Sequence, residues 1–351
     1  MSRFEASREQ QEAKRLLDAA VLEGPVHAYL FYGPAGVGKR KLAGAFAREL
    51  LGTMRAVHPD LYELDALGEM IRIDAIRELR RDLHMRPFEA SRRVYLILSA
   101  HLMNEDAADA LLKDLEEPPD YAVIVLVADD LGPIPETIRS RCQLVPFTRL
   151  SERAIRETID ARAPELDEAR RVALARVAGG RLDRLSRLLD PAAARRRETL
   201  LEQARAVYLQ PSFEPADAAS ALLDSARERG VEARDVEDVK VRGLELPARE
   251  AEQRVKRAQR GAEREELLAQ LEELASWYRD LVVVGVGAEG AAMHVDRLGE
   301  LRTDATRERL LGAERAAEAV RETWRRLEEF NLAPQLALEA LFVQVAAELA
   351  A

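Results

Sequence analysis

His27-Ala28-Tyr29-Leu30-Phe31-Tyr32-Gly33-Pro34-Ala35-Gly36-Val37-Gly38-Lys39-Arg40 is the stretch on which the fold turns. Its first six residues are a short apolar run of the kind that buries as a strand. A glycine-rich turn follows, and Val37 to Leu51 reads as a helix. Strand, glycine loop and helix in that order are the setting of a phosphate-binding loop. The glycines let backbone N–H groups curve around an anion, and the helix N-terminus adds positive potential. Gly33, Pro34, Gly36, Gly38 and Lys39 are therefore candidate nucleotide-binding residues, with Lys39 reaching for the outer phosphates. The last position departs from the pattern. A Ser or Thr hydroxyl there ligands Mg²⁺, which Arg40 cannot do. The alternative is a glycine-rich strand-to-helix turn that holds no ligand.

Outward from this loop, the first 150 residues alternate in character. Asp60 to Leu64, Val94 to Leu98 and Ala122 to Ala128 read as further buried strands. Ile73 to Met85 and Asn104 to Glu116 carry apolar residues at helical spacing. Strands alternating with helices predict an α/β domain with a parallel sheet covered on both faces. Ala154 to Leu189 reads as helices alone, interrupted by Gly179-Gly180 and ended by Asp190-Pro191. The rest is helical, with one predicted exception. Gly230 to Ala248 lacks periodicity and reads as a loop or disordered linker. Arg249 to Arg279 then reads as one long charged helix. The expected domains are 1–150, 151–190 and 191–351.

Composition limits the function classes. A chain of 351 residues is long enough for two or three domains. Its net charge of −10 argues against a protein that grips DNA alone through a broad basic surface. Cys142 is the only cysteine and the five histidines are scattered, so no disulfide and no zinc are expected. The first residues lack an apolar leader and no run is long enough to span a bilayer, so a cytoplasmic protein without membrane contact is expected.

Two stretches speak against hydrolysis. A strand that closes a magnesium site ends in carboxylates, one near the metal and one orienting water. Here the strand reads Arg93-Val94-Tyr95-Leu96-Ile97-Leu98-Ser99, with Leu98 and Ser99 in those places. Val127-Ala128-Asp129 likewise lacks the Thr or Asn of a phosphate-sensing position. His101, beyond Ser99, reads as a surface or capping residue rather than a ligand.

Several segments resemble one family. Leu111-Leu112-Lys113-Asp114-Leu115-Glu116-Glu117-Pro118-Pro119 is similar to its "LEEPP" signature, and Thr137-Ile138-Arg139-Ser140-Arg141-Cys142-Gln143 to its "SRC" signature. His27 to Phe31 before the glycine loop, and Ile73 to Leu79 followed by Arg86-Pro87-Phe88, fit as well. These residues resemble the AAA+ clamp-loader subunits of bacterial DNA polymerase III, of the delta-prime kind. The resemblance is strong to about residue 190. Beyond it, only length, helicity and Asn331-Leu332-Ala333-Pro334 speak for it. Leu51 to Pro59 lacks the cysteines of the family's zinc module, and Asp109 stands where asparagine is usual.

The resemblance implies a RecA-like AAA+ domain, a helical lid and an all-α collar. It implies a subunit that helps load the sliding clamp on primed DNA beside gamma/tau and delta subunits, touching primer–template DNA only within the complex. It implies that Arg141 reaches in trans toward ATP on a neighbour, against the alternative of a local salt bridge. Arg184 resembles a lid arginine that senses nucleotide, although Arg181 and Arg187 beside it suit a solvated face equally well. Binding of ATP or ADP by this chain stays open. An ATP-hydrolysing gamma/tau-type motor and an unrelated small-molecule kinase are the competing functions. Arg40, Leu98 and Ser99 oppose the first; the LEEPP and SRC segments oppose the second.

Overall fold

Apolar runs that cannot face water on either side become the strands of a parallel sheet. In the computed structural model β1 (Ala28–Tyr32), β3 (Arg93–Ile97) and β4 (Ala122–Ala128) are such runs, and the more exposed β2 (Leu61–Leu64) and β5 (Gln143–Pro146) form the edges, in the order β2-β3-β4-β1-β5. The structure describes all residues except 1–2, 5–8, 56, 67–69, 243–246, 331 and 350–351. Leu30 lies opposite Leu126 on one side and Leu144 on the other, which fixes β1 at the inside of the sheet.

The period-two alternation of strand side chains splits the sheet's residues between two cores. Tyr29, Phe31, Val123, Val125 and Val127 point to one face, with Leu17 of α1 (Gln11–Glu23) and Leu42 and Phe46 of α2 (Lys39–Leu51). Ala28, Leu30, Ile124, Leu126 and Ala128 point to the other, with Ile76 and Leu79 of α3 (Ile73–Leu83) and Leu111 and Leu115 of α4 (Glu105–Glu116). The short α5 (Glu136–Arg139) closes this side through Ile138. Asn104 caps α4 by accepting a hydrogen bond from the Ala107 N–H at 3.2 Å.

The chain divides into two compact units. One holds residues 1–158 and 180–184; the other holds 159–179 and 185–351. The second is helical: α7 (Glu168–Ala178), α9 (Pro191–Leu209), α10 (Pro215–Arg242), α11 (Ala248–Gly285), α12 (Leu298–Asp304), α13 (Leu310–Glu329) and α14 (Pro334–Leu349). Helices α6 (Glu152–Arg162) and α8 (Leu182–Leu189) have residues in both units. Asp190 caps α9 through the Ala193 N–H at 2.7 Å, with Pro191 at the first helical position. The core of the helical unit gathers Leu271, Trp277 and Tyr278 of α11 with Leu222 of α10, Val320 of α13 and Phe342 of α14.

The linker expected at Gly230 to Ala248 is corrected: α10 continues through Gly230 to Arg242. Only residues 243–246 of that segment, like Asn331 of the C-terminal match, lie outside the described residues. The segment lacks apolar periodicity because its charges pair with one another. Arg242 pairs with Asp238, and Glu237 accepts from Arg254 of α11 at 2.6 Å. At Gly230 α10 meets α11 closely; a Cβ there would lie 2.4 Å from Cγ of Glu263. The long charged helix is found as expected. Its residues from Ala262 onward enter the core, whereas none before it is buried.

One polar cluster lies inside the helical unit. His294 is fully buried, with Nδ1 2.8 Å from Asp280 and Nε2 3.2 Å from Glu273. Asp280 also accepts from the backbone N–H groups of Met293 and His294, and Arg197 donates to Glu273 and Asp296.

Candidate functional site

The carboxyl ends of parallel strands are where such sheets build sites, and the glycine loop leaves β1 there. Gly33 and Gly36 have φ of 134° and 69°, a region that disfavours side chains. Both are also places of close approach. A Cβ on Gly33 would meet the Phe147 carbonyl oxygen at 2.2 Å, and one on Gly36 would meet an Asp183 carboxylate oxygen at 1.7 Å. Packing within the chain thus gives these two glycines a reason of its own, against backbone at Gly33 and against a side chain at Gly36. Pro34 and Gly38 complete the loop, and α2 starts at Lys39.

Lys39 is buried, and its ammonium has three donors. They are directed to the carbonyl oxygens of Gly33 (2.6 Å) and Pro34 (2.5 Å) and to Asp129 at the end of β4 (2.8 Å). Burial pulls the Lys39 pKa below the usual lysine value, against the opposing pull of Asp129. His101 joins from the far side: its Nδ1 accepts the Asp129 N–H at 3.2 Å, and burial lowers its pKa. It is the capping residue that its place beyond β3 suggests.

Arg40 forks onto Asp65, just past β2, at 2.5 and 3.1 Å. Its Nη2 also donates to Ser99 Oγ at 2.7 Å, and the Ser99 hydroxyl donates to Asp65 at 2.6 Å. Leu98, the other residue at the expected acid positions, packs toward the apolar core beneath α2. Mg²⁺ requires an octahedron of oxygen ligands. This place instead holds a guanidinium, a neutral hydroxyl and one carboxylate already neutralised by the guanidinium. The residues present do not fit a magnesium–nucleotide. Among the described residues, no group of three His, Cys, Asp or Glu side chains could hold a metal.

The segment 180–184 closes over the loop from above. The Leu182 N–H donates to the Gly36 carbonyl oxygen at 2.7 Å, and Arg181 pairs with Asp183 at 2.7 Å. Burial opposes the charge on Asp183, but the Arg181 contacts and backbone N–H groups outweigh it and hold the carboxyl below the usual range. Arg184 is buried beside this contact rather than placed on a solvated face. Gln10 braces the loop's other flank, donating to the Thr148 carbonyl at 2.7 Å and accepting from the Thr148 N–H at 3.0 Å.

Arg141 lies elsewhere in the same unit, after α5. Its Nη1 donates to the Thr137 carbonyl at 2.8 Å, and its Nη2 to Glu116, the last residue of α4, at 2.5 Å. About a third of the arginine side chain and half of the glutamate are exposed, at 34% and 49%. The neighbouring Cys142 is half-buried, and burial pushes its thiol up to about 12.

The structure thus brings Lys39 together with the loop glycines and sets Arg141 apart. Sequence reasoning missed Asp65, Asp183 and Glu116. For Asp65 a signal existed, an acid directly after a predicted parallel strand. Nothing in the spacing announced that Asp183 meets Gly36, 147 residues earlier in the chain.

Residues 52–151 match the protein family described as "DNA polymerase III, delta subunit". The DNA polymerase III subunit tau of Bacillus subtilis is 33% identical over 213 residues, 54% of this chain and 38% of that protein. The delta' subunit of Pseudomonas aeruginosa is 38% identical over 135 residues, 33% of this chain and 41% of that protein. The matches thus span about two-fifths of each relative's length. A solved DNA polymerase III gamma subunit-related protein of Thermotoga maritima is 18% identical with a TM-score of 0.47, over 96% of this chain and 99% of that one.

Proposed function

We propose, starting from an N-terminal domain that is related to the AAA+ subunits of DNA polymerase III clamp loaders, that this chain is a delta-prime-type subunit that does not hydrolyse ATP. One observation carries the reading: the ion pair of Arg40 with Asp65, bridged by Ser99, occupies the place of the magnesium ligands. Lys39 supports it, with all three of its donors directed to the chain's own oxygens. In this reading ATP or ADP is not a working cofactor of the chain, and zinc is not part of it.

The subunit then contributes architecture and one charged group. Residues 1–150 form the AAA+ domain, 151–190 the lid and 191–351 a collar that joins gamma/tau and delta subunits in a hetero-oligomer. The assembly loads the sliding clamp on primed DNA in the cytoplasm. Arg141 serves the ATP of the adjacent subunit, a role suited to a planar, permanently charged fork.

The similarity to tau over 213 residues favours a second reading, an ATP-hydrolysing motor of the gamma/tau type. The purified full chain distinguishes the two. It is expected to show no Lys39-dependent ATP turnover at saturating Mg²⁺, and to form a complex of defined mass with gamma/tau and delta subunits. Turnover that disappears with Lys39→Ala would establish the motor instead.

A further inference from the structure

Glu116 and Glu117 close α4 just before Pro118-Pro119. The last turn of a helix carries unpaired carbonyls and negative potential, a poor place for two acids. A cation answers them: Arg141 docks on Glu116. Its stem is drawn back over its own short helix, since Nη1 is bonded to the Thr137 carbonyl. The guanidinium is therefore directed into its own domain, whereas a group that serves another subunit must reach outward.

We infer that Glu116 is a clasp that holds Arg141 retracted in the free subunit and yields it to the polyphosphate of a nucleotide bound by the adjacent subunit. The inference rests on the reading of Arg141 as an arginine acting in trans. The exchange is favourable on chemical grounds. A half-exposed carboxylate–guanidinium pair is weakly held, being hydrated and screened. A triphosphate offers several charged oxygens to the same fork, and arginine–phosphate pairs are strong and bidentate. Pro118-Pro119 fixes the end of α4, so Glu116 stays behind when Arg141 leaves. Glu116 thereby sets the fraction of time that Arg141 is available, and with it the basal rate at the adjacent site. It is a positioning residue and touches no nucleotide itself.

The test uses the full chain assembled with gamma/tau and delta subunits, with MgATP turnover measured in the absence of clamp and DNA. Glu116→Gln keeps the shape and removes the charge. It is expected to raise basal kcat by about two- to five-fold, the factor that an exposed ion pair is worth, with KM little changed. The Glu116→Gln/Arg141→Ala double variant is expected to match Arg141→Ala alone, because the clasp has nothing left to hold. A Glu116→Gln rate at or below the unmodified rate, with Arg141→Ala still impaired, would overturn the clasp and spare the trans arginine. An unimpaired Arg141→Ala would overturn both.

Discussion

Asp183 shows how a single side chain can decide what a loop does. Gly36 is left-handed and has an Asp183 oxygen where its own Cβ would go. Gly36→Ala is therefore expected to cost about 1–3 kcal/mol through backbone strain and collision. Asp183→Ala should remove the collision but not the strain. The double variant is then expected to lose less stability than the sum of the two single changes, as urea unfolding would reveal. Strict additivity would mean that the close contact carries no energy. Arg40 gives a second test. With Leu98 and Ser99 still in place, Arg40→Thr restores a hydroxyl but no carboxylate, and ATP turnover is expected to remain at background. Turnover in Arg40→Thr would show that Arg40 alone stands in the way of hydrolysis. The sequence displayed the defects at residues 40, 98 and 99 because each is the wrong chemical type for a known place. It hid the partner of Arg40 and Ser99, because the choice of Asp65 is a property of tertiary packing.

At the scale of elements, legibility followed burial. β1 and β4 were readable because strands covered on both faces must be apolar throughout. The helical course of α10 past Gly230 was not readable, since charge pairs, unlike apolar stripes, leave no period in a sequence. The same holds for the loop between α11 and α12, which is pinned by His294. Around that imidazole stand Glu273, Asp280 and Arg279 of α11, Arg197 of α9 and Asp296. Burial opposes its charge, but Glu273 and Asp280 outweigh burial and the repulsion of Arg197, and raise its pKa above 6.5. The sign follows from linkage. Native His294 binds its proton more tightly than the unfolded chain does. Its stabilisation is thus complete below about pH 6.5 and is lost as the pH rises through the elevated native value. The Tm is expected to decline as the pH rises above about 6.5, and His294→Gln should flatten that decline. Equal slopes in both proteins would assign the pH dependence to other groups.

For the molecule as a whole, the chain runs out of the sheet unit after residue 158, returns for 180–184 and leaves again. A fragment ending at Asp190 retains both cores of the sheet. It loses most of the unit to which residues 159–179 and 185–190 belong; Arg187, for example, loses its bidentate contact with Glu266. Such a fragment is expected to unfold cooperatively through its sheet. Amide exchange in α7 should rise at least about a hundredfold over the full chain. Unchanged protection of α7 would show that it folds without α9 to α14. The threefold passage of the chain also restricts how this protein can trade parts with relatives. A recombinant joined at residue 158 would receive a foreign 180–184, and a stranger's side chain would come to rest on Gly36. A graft respects the sheet unit only if the crossover lies beyond residue 184, so homologous exchange should preserve the glycine loop and its distant aspartate as a single inherited piece.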